Sequence, residues 1–318
     1  MSDVIDRFDA DRFEASRDRL ASLAYRLLGS ASEAEDAVQD AYLRWQCADR
    51  QRIDVPEAWL TKVVTNLSLD RLRSAHRRNE RASAWLPEPV LDGDPMLGPA
   101  ETVEQREMVS LAVLALMERL SPAERGVYVL REAFSYAHAE IAEVLEISES
   151  ASQQHLHRAR RRIAAGRQRG VVEVDPASAR KTVEAFLQAA SSGDTDRLVA
   201  LLTDDATAVS DGAGSGISER LLRYDTPRKI AAIARTGFRP TPAKRRLAGG
   251  TPAFHYALVN GTPAMLAVVD DRVVGVVAFD VLGGKIATVR GIASPKRLAR
   301  LDAAWTQQEP GSPIIAEW

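Results

Sequence analysis

Between Gln153 and Arg169 the chain sets amide, imidazole and guanidinium groups at helical spacing, with Gln153, Gln154, His157, Arg158 and Arg161 away from an apolar stripe of Leu156, Ala159 and Ile163. A glutamine amide can bond both hydrogen-bonding atoms of adenine in the major groove, an arginine can do the same for guanine, and further arginines can hold phosphates. From Arg158 to Arg169 there are six arginines and no acid, which favours a DNA-reading face over a merely solvated one. Just upstream, Ile141, Ala142 and Leu145 supply the apolar face of a short preceding helix, and Ser148 is placed to cap the second. The pair reads as a helix-turn-helix.

A second basic face lies earlier. Lys62, Asn66, Asp70, Arg73 and Arg77 recur at spacings of four and three, with Arg78 adjoining them. Such a mixture of Asn, Lys and Arg suits the exposed bases and phosphates of an opened strand. The plainer alternative is a solvated face laced with pairs such as Asp70 with Arg73 or Arg77. Nearby, Glu33, Glu35, Asp36 and Asp40 form an acidic cluster, set against a basic one of Arg71, Arg73, Arg77, Arg78 and Arg81, so the two clusters should meet different partners.

These faces must be positioned by more than one domain, since 318 residues exceed a typical single core and suggest about two or three compact units. The net charge of -2 hides the local separation of sign and identifies no partner. Cys47 is the only cysteine, which excludes an internal disulfide and a cysteine-based zinc site. His155 and His157, two apart, point to different sides of a helix, so no metal site is expected, nor any cofactor. The opening Met1-Ser-Asp-Val-Ile-Asp-Arg has no apolar signal core and no apolar run is of membrane-spanning length; the expectation is a cytoplasmic protein with no membrane partner.

Helical periodicity runs from Phe13 to about Ala82: Leu20, Leu23, Ala24, Leu27 and Leu28 form a first apolar face, Gly29-Ser30 breaks it, and Ser32 with Glu35 resembles a cap for the next helix. Pro56 opens a third through Trp59, Val63, Leu67 and Leu72. The predicted units are 10–82, a Pro- and Gly-rich linker at 83–104 docked only at Trp85 and Leu86, a helical unit at 105–170, an α+β unit at 174–302 and a tail at 303–318. In the α+β unit Val183, Phe186, Leu187, Leu198, Leu201 and Leu202 read as helical. Two hairpins follow, signalled by His255 to Val259 before Asn260-Gly261 and by Val273 to Val281 before Gly283-Gly284.

Three segments in order resemble bacterial extracytoplasmic-function sigma factors, the RNA polymerase subunits that recognise promoters. Ser32-Glu-Ala-Glu-Asp-Ala-Val-Gln-Asp-Ala-Tyr-Leu-Arg-Trp45 is similar to the family's core-polymerase-binding segment. Ala58-Trp-Leu-Thr-Lys-Val-Val-Thr-Asn-Leu-Ser-Leu-Asp-Arg-Leu-Arg73 resembles its -10 reader, and Leu120-Ser-Pro-Ala-Glu-Arg-Gly-Val-Tyr-Val-Leu-Arg-Glu132 with the helix-turn-helix its -35 reader. The resemblance implies two all-α sigma domains, with core polymerase and promoter DNA as partners. Core binding would fall to Glu35, Asp36, Asp40, Tyr42, Leu43 and Trp45, with the aromatic residue as anchor. Asn66 would help hold a flipped -10 base, in a pocket completed by Ile53-Asp-Val-Pro-Glu57. Two departures stand out: Glu146 where the family commonly has Gly at the turn, and Ser152 on the core stripe.

The rest of the chain resembles a branch of that family carrying a C-terminal SnoaL-like, NTF2-like cone. Trp85-Leu-Pro-Glu-Pro-Val90 is similar to the branch's linker, Asp211-Gly-Ala-Gly-Ser215 to its Asp-Gly-Gly-Gly-Lys motif, and Ser294-Pro-Lys-Arg-Leu298 to its Asn-Pro-Asp-Lys-Leu. The resemblance implies regulation, with Trp85, Pro87, Asp211, Gly212, Gly214, Pro295 and Leu298 as interdomain residues and a small ligand in the cone as a further partner. Two alternatives remain open here. One is an ordinary helix-turn-helix regulator; the other is an isomerase- or hydratase-type cone using Asp211, His255 or Asp280 as a base in an apolar pocket, although no catalytic set stands out.

Overall fold

A computed structural model describes residues 2–77, 86–98, 103–166, 175–213, 221–309 and 311–316. The chain folds as two compact units, the first made of Met1–Ala82 and Gly93–Arg167, the second of Ser83–Asp92 and Gln168–Trp318.

The first unit is all helix: α1 (Ser2–Leu28), α2 (Ala31–Cys47), α3 (Pro56–Arg77), α4 (Val103–Glu107), α5 (Leu111–Met117), α6 (Pro122–Glu132), α7 (His138–Leu145) and α8 (Glu149–Gly166), with 3-10 turns at Arg50–Arg52 and Pro95–Leu97. Leu20, Leu23, Ala24, Leu27 and Leu28 of α1 are fully buried against α2 and α3. The cap of α2 is Ser30, whose hydroxyl accepts the Glu33 N–H at 3.2 Å, and not Ser32 as the Ser32/Glu35 spacing suggested. Gly29 at φ 65 ends α1 so tightly that the cap falls on the next residue. On α7 the buried residues are Ile141 and Val144, while Ala142 and Leu145 are half-buried, so the predicted apolar face is rotated.

Part of the stretch read as a linker is built into this unit. Arg26 of α1 is buried, and its guanidinium donates to the Leu97 carbonyl at 2.9 Å across the 3-10 turn that Asp94 caps. Burial lowers the pKa of that guanidinium to about 10, against a smaller opposing influence of Tyr25.

The second unit contains α9 (Pro176–Ser192), α10 (Thr195–Ala200), α11 (Pro227–Phe238), α12 (Pro242–Ala248) and α13 (Pro295–Trp305). Its six strands are β1 (Leu202–Ser210), β2 (Leu222–Tyr224), β3 (Ala253–Val259), β4 (Thr262–Val269), β5 (Arg272–Leu282) and β6 (Lys285–Ile292). They form one sheet in the order β2-β1-β6-β5-β4-β3, antiparallel except for the parallel β1/β6 pair. Asn260-Gly261 and Gly283-Gly284 turn two hairpins with positive φ at both residues, the conformation that matches strand twist. A third turn, Asp270-Asp271 at φ 48 and 62, has the same geometry without a glycine to announce it.

Leu202 begins β1 and does not continue the helix, because the chain leaves α10 directly into the sheet. Phe186 of α9 packs edge-on to Phe279 of β5 at 5.7 Å, joining helix layer to sheet. Leu86–Leu91 is buried along its length, whereas the sequence had suggested docking at Trp85 and Leu86 alone; Trp85 lies outside the described residues. The Val90 N–H donates to the Asn260 side chain at 2.9 Å, Asn260 N–H to the Val90 carbonyl at 2.9 Å, and Leu91 bridges Val259. The expected tail is likewise part of the fold: α13 runs to Trp305, and the Phe254 N–H donates to the Ile315 carbonyl at 2.9 Å.

Candidate nucleic-acid interface

Helices α7 and α8 meet at Glu146, held left-handed at φ 56 and closed by hydrogen bonds from Glu146 and Ile147 to the Ala142 carbonyl. The turn therefore keeps the geometry that glycine would supply, at the steric cost of a Cβ. The Ser148 hydroxyl accepts the Ala151 N–H at 3.1 Å and starts α8. Ser152, Leu156, Ala159 and Ile163 form its buried face. The serine on this stripe is explained by a hydrogen bond of 2.9 Å between its hydroxyl and His138 Nδ1.

The opposite face is sorted by what its cations touch. Gln153, Gln154, His157 and Arg161 are exposed. Arg158, expected among the groove-facing residues, is exposed as well, and is also bound within the unit: its Nε donates to Glu124 at 3.1 Å and its Nη2 to His155 Nδ1 at 2.9 Å. Arg162 pairs with the other Glu124 oxygen, and Arg160 with Glu132 at 2.7 Å. Glu124 is 3% exposed and forms a capping box with Ser121 at the start of α6. Burial alone would raise its carboxyl pKa, but the Ser121 hydrogen bonds, Arg158 and the charge of Arg162 outweigh that and hold it below the ordinary value. His155 is held below its ordinary pKa by burial and then by Arg158, against Glu124; because a guanidinium can only donate, Nδ1 is the acceptor of its bond with Arg158. Ser121-Pro-Ala-Glu124 entered the sequence reading only as part of the family resemblance; its Ser-x-x-Glu spacing was the available signal for the capping box, whereas nothing local signalled that the glutamate also holds α8.

On α3, Lys62 forms an ion pair of 3.1 Å with Glu146, and Asp70 pairs with Arg73 at 2.8 Å. Asn66, one turn after Lys62, is half-buried. Arg77 ends the helix, and Arg78 lies outside the described residues. Val55, just before α3, is 56% exposed. The same helix is tied to the second reader by Arg19, which donates to the Thr61 hydroxyl at 3.0 Å and to the Tyr136 hydroxyl at 2.8 Å. Sequence spacing carried no sign of Arg19 or Tyr136, because such long-range partners leave no local pattern.

On α2, Asp36 is exposed and Glu35 lies beside it, while Asp40 is paired with Arg71 at 2.6 Å. Tyr42 is half-buried on Phe13 at 4.8 Å. Trp45 does not offer the expected anchor: it is 2% exposed and packs on Trp59 at 5.6 Å. Leu43, 53% exposed, is the large apolar side chain that this helix presents outward.

In the second unit, Asp211 joins the two altered motifs. Its carboxylate accepts the Ser294 N–H at 2.9 Å, the Ala293 N–H at 3.1 and 3.2 Å and the Ala213 N–H at 3.2 Å. Those bonds set the start of α13, with Pro295 in its first turn and Leu298 buried. Gly212 follows at φ 73, and Gly214 lies outside the described residues. Asp280 sits on the interior strand β5 and accepts from Arg290 at 2.6 Å. His255 packs edge-on against Trp305 at 5.1 Å and bonds the Gly311 carbonyl at 3.0 Å.

The Sigma-70 region 2 family matches residues 12–78, and the Sigma-70, region 4 family residues 110–163. A Mycobacterium tuberculosis protein named Probable ECF RNA polymerase sigma factor SigI is 34% identical over 297 residues, spanning 92% of this chain and 95% of its own. The chain belongs to the extracytoplasmic-function sigma factors. ECF RNA polymerase sigma factor SigJ of the same organism is 43% identical over 208 residues, 65% of this chain and 66% of that one. The crystal structure of M. tuberculosis SigJ superposes with a TM-score of 0.67 at 32% identity, covering 92% of this chain and 98% of that one. Two all-α sigma domains followed by an α+β unit built on one mixed sheet are thus the architecture of this sigma factor. Sigma factors bind core RNA polymerase and promoter DNA, and this chain directs promoter-specific initiation. Among the described residues no helix is long and apolar enough to cross a membrane.

Proposed function

We propose that the sigma factor reads its -35 element with Gln153, Gln154, His157 and Arg161 of α8, and its opened -10 strand with Lys62, Asn66, Asp70, Arg73 and Arg77 of α3 and with Arg78, the next residue in sequence. Core polymerase docks on α2 through Glu35, Asp36 and Leu43, with Asp40 and Tyr42 beside them and Trp45 shaping the helix from within. Arg158 is a positioning residue, holding α8 to Glu124.

This arrangement of the two readers is a closed form. The observation that carries this is the Lys62–Glu146 ion pair of 3.1 Å, which ties the two readers to each other. Promoter elements two duplex turns apart are about 70 Å from one another, so readers in mutual contact cannot serve both. Polymerase binding must part them.

The cone regulates this equilibrium and does not catalyse. Every tempting base is already engaged structurally, Asp211 at the start of α13, Asp280 with Arg290 and His255 on Trp305. A small ligand of the cone acts only by binding open and closed forms with different affinity. Run-off transcription with purified core enzyme and full-length protein, against protein carrying Asp211→Ala or Pro295→Ala, is the test. Promoter-specific transcript that changes with these substitutions supports the reading; transcript identical in all three refutes regulation through this motif.

A further inference from the structure

Residues 226–250 carry five arginines and two lysines and no acid. We infer that the surface built from α11 and α12 binds the phosphate backbone of duplex DNA, as a sequence-indifferent contact additional to the two readers. Arg228 and Arg235 lie seven apart on α11, Arg239 follows directly as its extended C-cap, and all three are exposed. Its other side is already occupied, since Ile230 and Ala231 are buried and Ala234 and Phe238 pack on the core. Ile233 of α11 and Leu247 of α12 are exposed, but two isolated apolar side chains do not make the broad apolar face that enters a bilayer.

Lys244 fastens the second helix to the first. Its ammonium donates to the carbonyls of Thr236, Gly237 and Arg239 at the end of α11, the last at 2.9 Å. Burial lowers its pKa, and the charge of Arg239 adds to the effect. Arg245 and Arg246 follow it, both exposed, so the guanidinium groups of the two helices form one field. Lys229 is offset by Asp225 at 2.8 Å. The elements packed against α11 carry Asp194, Asp196, Asp204 and Asp205, and none of these forms an ion pair with Arg228, Arg235 or Arg239 among the described residues.

Arginine's planar fork matches phosphate oxygens, which favours nucleic acid over a generic acidic surface. From Arg228 to Phe238 α11 rises about 15 Å, a length over which duplex DNA presents about nine phosphates. The second unit is covalently linked to the two readers, with Pro176 at the start of α9 ten residues in sequence after Gly166 at the end of α8. DNA held by the readers is therefore at a raised effective concentration for it, and even a weak contact is populated.

The test is fluorescence anisotropy of full-length protein with a labelled duplex of unrelated sequence, titrated at several salt concentrations. The R228Q/R235Q/R239Q protein should bind about tenfold more weakly at low salt, and its slope of log affinity against log salt should be shallower by about 2 to 3. R245Q/R246Q, which leaves α11 intact, should give a smaller loss of the same kind, and circular dichroism melts verify that both variants fold. An R161Q protein separates this surface from the -35 reader: the α11 loss should persist in that background. Unchanged affinity and slope in both α11 and α12 variants overturn the inference. So does a loss seen only with polyglutamate or with phosphatidylserine vesicles as the probe, which would assign the surface to an acidic protein or a membrane.

Discussion

Lys62 on α3 and Glu146 at the turn between α7 and α8 are joined by an ion pair of 3.1 Å, so a residue proposed to face opened DNA is held by the helix-turn-helix. Both side chains are substantially exposed, 42% and 75%, and such a pair contributes only about 0 to 1 kcal/mol. That weakness suits a latch. Docking on polymerase can break it together with the Arg19–Tyr136 bond, without unfolding either reader.

Replacing Glu146 by Gly should loosen this latch without harming the turn. The substitution removes the ion pair and also relieves a Cβ held at φ 56, a gain of up to about 1 kcal/mol. Energy transfer between a dye on the native Cys47 and one on an A165C site should report a longer distance, and transcription at limiting sigma factor should rise by about twofold to fivefold. An unchanged distance would show that the pair does not hold the readers.

On α8 the two kinds of contact should separate. Gln154→Ala should cost about 1 to 3 kcal/mol of discrimination at one base position, whereas Arg161→Ala should weaken all sequences alike and lower the salt slope by about 1. Arg158→Ala should affect unfolding midpoint more than DNA affinity, because it touches Glu124. Competition binding with a promoter library distinguishes these outcomes; a uniform loss for Gln154→Ala would remove it from base reading.

Asn66→Ala should impair strand opening more than duplex binding, since an unstacked base is available only after melting. Permanganate footprinting on holoenzyme would show lost reactivity in the -10 region. Reactivity equal to the parent protein returns this face to solvent.

Acid should destabilise the helical unit. His155 and Glu124 both have lowered pKa values when folded, so the unfolded chain binds protons that the folded one refuses. Their stabilisation is complete above the ordinary values of 6.5 and 4.5; it falls as the pH drops below 6.5 for His155 and below 4.5 for Glu124. Urea midpoints across that range should decline, and Glu124→Gln should flatten the lower limb. A flat profile for the parent protein would contradict the sign.

Asp211→Ala should remove the acceptor for the Ala293 and Ser294 N–H groups and cost the second unit about 2 kcal/mol, with Asp211→Asn losing less. Urea unfolding followed by the Trp305 signal measures this. A cost near zero would mean that the start of α13 is held by other contacts.

Where local pattern decides structure, the sequence was readable. Pro56 at the head of α3, Ser148 at the head of α8 and the Asn260-Gly261 turn are set by one or two residues and their neighbours. What escaped was decided at a distance. The inward turn of Trp45 depends on Trp59, the anchoring of Arg158 on Glu124, and the parallel pairing of β1 with β6 on strands about 80 residues apart in sequence, a separation with no periodic signature. Of the candidate site residues, exposure at Gln154, His157 and Arg161 followed from helical period alone, while the partnering of Lys62 and Asp211 did not.

The outer edge of β3 is sealed by two pieces of chain that are remote from it, Leu91 opposite Val259 and Ile315 opposite Phe254. A truncated chain ending before Ile314 would therefore strip backbone donors and acceptors from an apolar strand and leave a template for self-association. Loss of transcription after such a truncation would reflect insolubility as readily as broken regulation. Its sedimentation profile has to be in hand before any activity it shows is attributed to the cone.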